Sequence, residues 1–133
     1  MSALLADTHA VVWYLLDSPN LSDAAKKSME AAVANGDPIF IASISLVEII
    51  YLVEKGRLPS NLVTRIFDAL ADSRSALEVV SLDLPVARAV SQIPRKIVPD
   101  LPDRIIVATA IYLNVPLITR DQKILAANIP TIW

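Results

Sequence analysis

Leu4-Leu5-Ala6-Asp7-Thr8-His9-Ala10-Val11-Val12-Trp13 is the stretch on which the fold turns. It opens in a short apolar run, Ala3 to Ala6, that stops abruptly at an aspartate. Such a run, without polar alternation, reads as a strand buried on both faces, the kind found in parallel sheets. From Thr8 to Leu16 apolar residues come all round the helical turn, so the strand leads straight into a buried helix. Asp7 stands at the junction. An aspartate closing a buried strand is costly unless it is paired, hydrogen-bonded or bound to a cation.

Outward from that junction the same alternation repeats. Ser22 precedes a run of helix formers that should stop at Gly36. Ile39-Phe40-Ile41 reads as a second strand. Ser45 is expected to open a helix through Lys55, ended by Gly56, and Ser60 to cap another through about Ser73. Leu77 to Leu82 is a third strand, and Asp83 or Pro85 starts a short helix through Val90. Ile93 to Pro102 holds three prolines and reads as a loop. Arg104 to Leu113 is helical, Leu117-Ile118-Thr119 is a fourth strand, and Asp121 opens a last helical turn or two. Thr131-Ile132-Trp133 supplies a terminal edge strand. Short apolar strands alternating with helices predict an α/β fold: one domain over residues 1–133, with a mostly parallel sheet of four to five strands flanked by helices.

Composition narrows the function classes. Hydrophobic residues make up 54% of the 133, and mean hydropathy is +0.51, which excludes disorder. Fourteen acidic residues face twelve basic ones, for a net charge of −2. Taken alone, that balance lacks the basic footprint of a nucleic-acid binder. The absence of cysteine excludes disulfides, Cys-based zinc sites and thiol nucleophiles, and a single His9 cannot build a His-rich metal site. The N-terminus lacks a basic region and is interrupted by Asp7 and His9, so no signal peptide is expected. Ile39–Val53 is interrupted by Glu48, and Ile105–Ile118 by Asn114 and Pro116, so neither supplies the ~20 apolar residues of a membrane span. A cytoplasmic location is consistent with these features.

In parallel α/β folds functional groups gather at the carboxyl ends of the strands. Four acids fall there: Asp7 after the first strand, Glu48 in the first turn of the helix after the second, Asp103 beside the start of the penultimate helix, and Asp121 after the fourth strand. Each has a plain structural alternative. Asp7 and Asp121 suit helix N-caps. Ser45-Leu46-Val47-Glu48 has the form of a capping box. Asp100-Leu101-Pro102-Asp103 has the spacing of a cap with an acid three residues on. Read together, they form a carboxylate cluster whose members repel one another and raise each other's pKa. Such an all-oxygen pocket selects a hard ion, Mg²⁺ or Mn²⁺, and metal-assisted phosphodiester hydrolysis is its natural chemistry.

The spacing of Asp7, Glu48, Asp103 and Asp121 resembles that of the PIN domain, and in particular of VapC-like toxins of type II toxin–antitoxin systems. The resemblance covers nearly the whole chain. It runs from Leu4-Leu5-Ala6-Asp7-Thr8-His9, with Trp13 and Leu21-Ser22, through Ser45-x-x-Glu48 and Pro102-Asp103-Arg104-Ile105-Ile106-Val107-Ala108-Thr109-Ala110. It closes on Leu117-Ile118-Thr119-Arg120-Asp121 and Trp133. It implies a Mg²⁺- or Mn²⁺-dependent endoribonuclease leaving a 5′-phosphate and a 3′-hydroxyl. It also implies that Asp7, Glu48, Asp103 and Asp121 bind the metal, with Asp7 and Asp103 as direct ligands. Thr8, Ser45 and Thr119 would support the acids by hydrogen bonds, with a helix cap remaining open for Ser45. Relatives often carry a histidine where this chain has Val98. His9 is open to a packing or a supporting role, and Asp100 to a cap or an outer ligand.

Five basic residues lie near the expected site: Arg95, Lys96, Arg104, Arg120 and Lys123. Arg104 and Arg120 are the candidates for RNA phosphate contacts, with pairing to neighbouring acids as the alternative. At 5% aromatic content an extended base-stacking platform is not expected, which suits a structured target such as tRNA or rRNA. Tyr14, Ile49, Ile50, Leu52 and Val53 leave two helices with little polar face. The resemblance suggests a homodimer, and a hetero-oligomer with a cognate antitoxin. Two other classes stay open: a PIN-like interaction module without catalysis, and another acid-cluster phosphodiesterase acting on DNA. Assigning four acids to a metal site leaves ten acids against twelve basic residues elsewhere, so RNA binding would depend on the metal.

Overall fold

In the computed structural model, which describes residues 2–133, the strand read first from the sequence is the central one. β1 (Leu4–Ala6) pairs on one side with β2 (Ile39–Ala42), which pairs with β3 (Leu77–Val80); on its other side it pairs with β4 (Leu117–Ile118), which pairs with β5 (Thr131–Ile132). All four pairings are parallel. The helices are α1 (Thr8–Leu15), α2 (Asp23–Asn35), α3 (Ser43–Glu54), α4 (Leu62–Ala71), α5 (Leu84–Val90), α6 (Leu101–Leu113) and α7 (Gln122–Leu125).

The sheet separates two cores because side chains on a strand alternate in direction. Leu4, Ala6, Ile39, Ile41 and Ile118 pack with α1, α2 and α4 through Val11, Met29, Leu62 and Ile66. Leu5 and Leu117 pack on the other face with α5 and α6, through Val86, Ala89, Ile106 and Val107. Val98 belongs to this second core and is fully buried. In α6 every residue from Ile105 to Ala110 is buried, and Thr109 satisfies its hydroxyl by donating to the Ile105 carbonyl at 2.7 Å.

Chain order runs from β1 outward to β2 and β3, then returns to the far side of β1 for β4. The sheet therefore reverses direction between β1 and β4, and a crevice opens beyond their carboxyl ends. Asp7 and Thr119 are the residues that step off those two strands.

Helix starts differ from expectation in three places. α3 begins at Ser43, two residues before Ser45, and its N-cap position is Ala42, which has no side chain to offer. The capping box does not form, and Glu48 falls in the second turn. α4 is preceded by Asn61 without a side-chain cap, so Ser60 does not cap it. α6 begins at Leu101 because Asp100 accepts the Asp103 amide at 3.1 Å, with Pro102 in the first turn. Strand β3 ends at Val80 and β4 at Ile118, slightly short of the expected ends. Among the described residues, no helix is long and apolar enough to cross a membrane.

Candidate active site

Five carboxylates from four separate segments line one cavity of about 540 Å³: Asp7, Glu48, Asp100, Asp103 and Asp121. The rim carries His9, Trp13, Arg120 and Lys123. The four acids expected to gather do so, and Asp100 joins them while also capping α6. Each is placed by local chemistry. Asp7 caps α1, accepting the Ala10 amide at 2.9 Å, and its own amide donates to the Ile118 carbonyl of β4 at 3.1 Å. Asp103 sits in the first turn of α6. Asp121 caps α7, accepting the Lys123 amide at 2.9 Å. Capping and clustering are thus compatible, since a carboxylate has about four lone-pair sites and a cap uses one.

Glu48 is placed differently. Thr8 donates its hydroxyl proton to Glu48 Oε1 at 2.7 Å. Thr8 has one proton, so its second contact, with Ser45 Oγ at 2.9 Å, has Ser45 as donor. Ser45 and Glu48 lie three residues apart on one face of α3, turned toward α1. Thr8, Ser45 and Thr119 are all buried, and Thr119 Oγ1 accepts the Asp121 amide at 3.1 Å. The three hydroxyls expected beside the acids stand beside them, with Ser45 acting through Thr8 rather than as a helix cap.

The electrostatics follow from burial and like charge. Burial pushes the Asp7 carboxyl up, with the Thr119 hydroxyl, the Ala10 amide and His9 opposing, and Asp121 adding to the rise. Asp103 is pushed up to about 7, first by burial and then by Asp100, Asp121, Glu48 and Asp7. Among the described residues, no three acids or histidines stand at metal-ligand spacing. Mutual repulsion favours that wider spacing. The donor set is nevertheless suited to a hard divalent ion: it is all oxygen, it is multiply acidic, and the cavity has room for the waters that Mg²⁺ retains.

The two candidate RNA-contacting arginines part company. Arg104 turns into the protein. Its Nη2 donates to the carbonyls of Val90 at 3.1 Å and Ile93 at 2.9 Å, and its Nε is buried without a partner. The expected phosphate contact is replaced by a brace between α6 and the end of α5. Arg120 is exposed on the cavity rim, with its guanidinium 4.5 Å from the centroid of the Trp13 ring. Neither arginine forms an ion pair among the described residues. Lys123, one of the five basic residues expected near the site, lines the cavity, whereas Trp13 had no expected role in it. The i, i+4 spacing of His9 and Trp13, directly after Asp7, was the available signal, and the two rings lie 5.5 Å apart. Of the apolar helix faces, Ile49 is buried while Val47 and Tyr51 are exposed on α3.

Comparison with known proteins is consistent with this geometry. Ribonuclease VapC22 of Mycobacterium tuberculosis is 29% identical over 136 residues, covering all of both chains. The structure of VapBC2 from Rickettsia felis bound to a promoter DNA fragment matches with a TM-score of 0.72 at 19% identity, over 97% of this chain and 96% of that one. A toxin–antitoxin complex from Klebsiella pneumoniae matches with a TM-score of 0.69 at 22% identity, over 98% and 96%. The PIN domain family model matches residues 4–129, nearly the whole sheet and every acid of the cavity, and the chain belongs to the PIN domain family.

Proposed function

We propose that the protein is a Mg²⁺- or Mn²⁺-dependent endoribonuclease, the toxin of a type II toxin–antitoxin pair, with Asp7, Glu48, Asp103 and Asp121 as its catalytic acids. The observation that carries this is the convergence of carboxylates from separate segments on one open cavity, where burial first and the neighbouring acids next lift Asp103 to about 7. Helix capping alone does not require the acids to face one another. The name of the Mycobacterium tuberculosis relative supports RNA as substrate, and the toxin–antitoxin neighbours support a cognate antitoxin as partner. The protein would act as a single domain in the cytoplasm, as a homodimer and in a complex with its antitoxin.

Asp7 and Asp103 would hold the ion, with Glu48 and Asp121 taking part in the same donor set, partly through waters. When bound, a divalent ion polarises the phosphoryl oxygen, lowers the pKa of a water and stabilises the leaving oxygen. Glu48, with one oxygen held by Thr8, has the other free to orient the attacking water. Arg120 supplies a cation for an RNA phosphate. Attack on phosphorus with loss of the 3′ oxygen leaves a 5′-phosphate and a 3′-hydroxyl.

The test is incubation of purified protein with total RNA and Mg²⁺ or Mn²⁺, beside a chelator control and the Asp7→Asn variant. Cleavage that needs metal and is lost in the variant is expected. No metal-dependent cleavage of any RNA would favour an interaction module, and cleavage of DNA alone would favour a different phosphodiesterase. Equal activity in the variant would remove Asp7 from the mechanism.

A further inference from the structure

Arg120 presents a puzzle of position. It is exposed, lies one residue from Asp121 and lines the same cavity as five carboxylates, yet among the described residues it forms no ion pair and no side-chain hydrogen bond. A long, flexible cation beside a cluster of unpaired acids is strongly attracted into it. Collapsed there, the guanidinium would bind a carboxylate through its forked N–H edge and occupy oxygens that a metal ion needs.

Trp13 offers the alternative. The guanidinium lies 4.5 Å from the centre of its ring, within the range of a cation–π contact. The ring is itself held from other sides, by His9 with centroids 5.5 Å apart and by Trp133 at 5.8 Å. Three side chains thus lie against Trp13, which is itself half-buried. Stacking occupies a face of the guanidinium and leaves its N–H edge available.

We propose that Trp13 is a positioning residue with two linked effects: it withholds Arg120 from the carboxylates, keeping them open to the metal, and it presents the guanidinium edge to an RNA phosphate at the cavity rim. This rests on the endoribonuclease assignment for the RNA but not for the metal, which allows the two to be tested apart.

The experiment compares Trp13→Leu, Trp13→Phe, Arg120→Gln and the Trp13→Leu/Arg120→Gln double variant. Mn²⁺ binding is measured by calorimetry on the protein alone, and KM and kcat on RNA. Trp13→Leu is expected to weaken Mn²⁺ binding about threefold to tenfold, the scale of one cation–π contact. The double variant recovers Mn²⁺ binding, because the competing cation is gone. Trp13→Phe, which keeps an aromatic face, weakens Mn²⁺ binding less than Trp13→Leu does. Arg120→Gln raises KM more than it lowers kcat, and reduces the salt dependence of RNA binding by about one counterion. Arg120 is exposed, so Arg120→Gln and the aromatic-preserving Trp13→Phe fold even if Trp13→Leu does not. Unchanged KM in Arg120→Gln, or Mn²⁺ binding weakened equally in Trp13→Leu and the double variant, would overturn the proposal. A wild-type protein that binds Mn²⁺ but cuts no RNA would overturn the endoribonuclease assignment, with the Mn²⁺ measurements still deciding the role of Trp13.

Discussion

The two ends of the sheet hold acids in opposite circumstances. Before β2 and β3, a cavity of about 320 Å³ is lined by Asp37, Pro38, Arg74 and Glu78 among others. There Asp37 accepts the Ser2 amide at 2.7 Å, and nearby Asp72 meets the Arg74 guanidinium at 3.2 Å. The Arg74 amide and guanidinium hold the Asp72 carboxyl below the usual carboxylate range. Beyond β1 and β4, burial and neighbouring acids lift Asp7 and Asp103 instead. Asp7, Asp100 and Asp121 accept helix amides there, which satisfy oxygen atoms without cancelling charge. A parallel sheet sends all its carboxyl ends to one side, so acids that step off different strands collect there. The same residue type is a partnered surface group at one end and an uncompensated charge at the other.

Substitutions at the crowded end should have the largest effects. Asp7→Asn and Asp103→Asn are each expected to lower metal-dependent RNA cleavage by about 10³-fold, since losing a ligand removes several kcal/mol of transition-state stabilisation. Asn remains a good N-cap at position 7, so the fold is kept. Asp37→Asn at the opposite end should leave the rate unchanged, and equal losses at both ends, measured as kcat on one RNA, would break the contrast. Thr8→Val should cost about 10- to 100-fold in activity or metal affinity, because Glu48 loses the donor that orients it. Urea titration can separate that effect from unfolding.

Smaller effects concern stability. Arg104→Met removes the donors to Val90 and Ile93 and should lower stability by about 2 kcal/mol, while the folded variant binds RNA as wild type does. A loss of RNA affinity at native conditions would restore Arg104 to the site. The smallest is a pH effect. In the folded protein the Asp103 carboxyl is raised to about 7, against about 3.9 unfolded, so the native state holds the proton more tightly. Its stabilising contribution is full below about pH 4 and is lost as pH rises toward 7. Metal-free Tm should therefore fall over that range, modestly because Asp103 is half-exposed, and Asp103→Asn should flatten the fall. A Tm profile with the same slope in the variant would count against the cluster.

Much of the fold was legible because it rests on short-range chemistry. The apolar run before Asp7, the αL cap at Gly36 and the Asp100 cap on α6 each depend on residues within a few positions. Ser45 misled for the same reason: Ser-x-x-Glu spacing suits a capping box and equally suits two residues on one helical face, and only the packing of α3 on α1 decides between them. Arg104 and Arg120 look alike in sequence, each beside a site aspartate, yet one is drawn inward by carbonyls at the end of α5 and the other lies over a ring more than a hundred positions away.

The sequence by itself determined the parallel α/β pattern and the presence of acids at strand ends, since strand length, side-chain alternation and helix caps are local properties. The tertiary structure decided which of those charges are answered. A carboxylate's partners come from segments joined only by the register of β1 with β4 and by the packing of α3 and α6, and electrostatic energy depends on those distances rather than on separation along the chain.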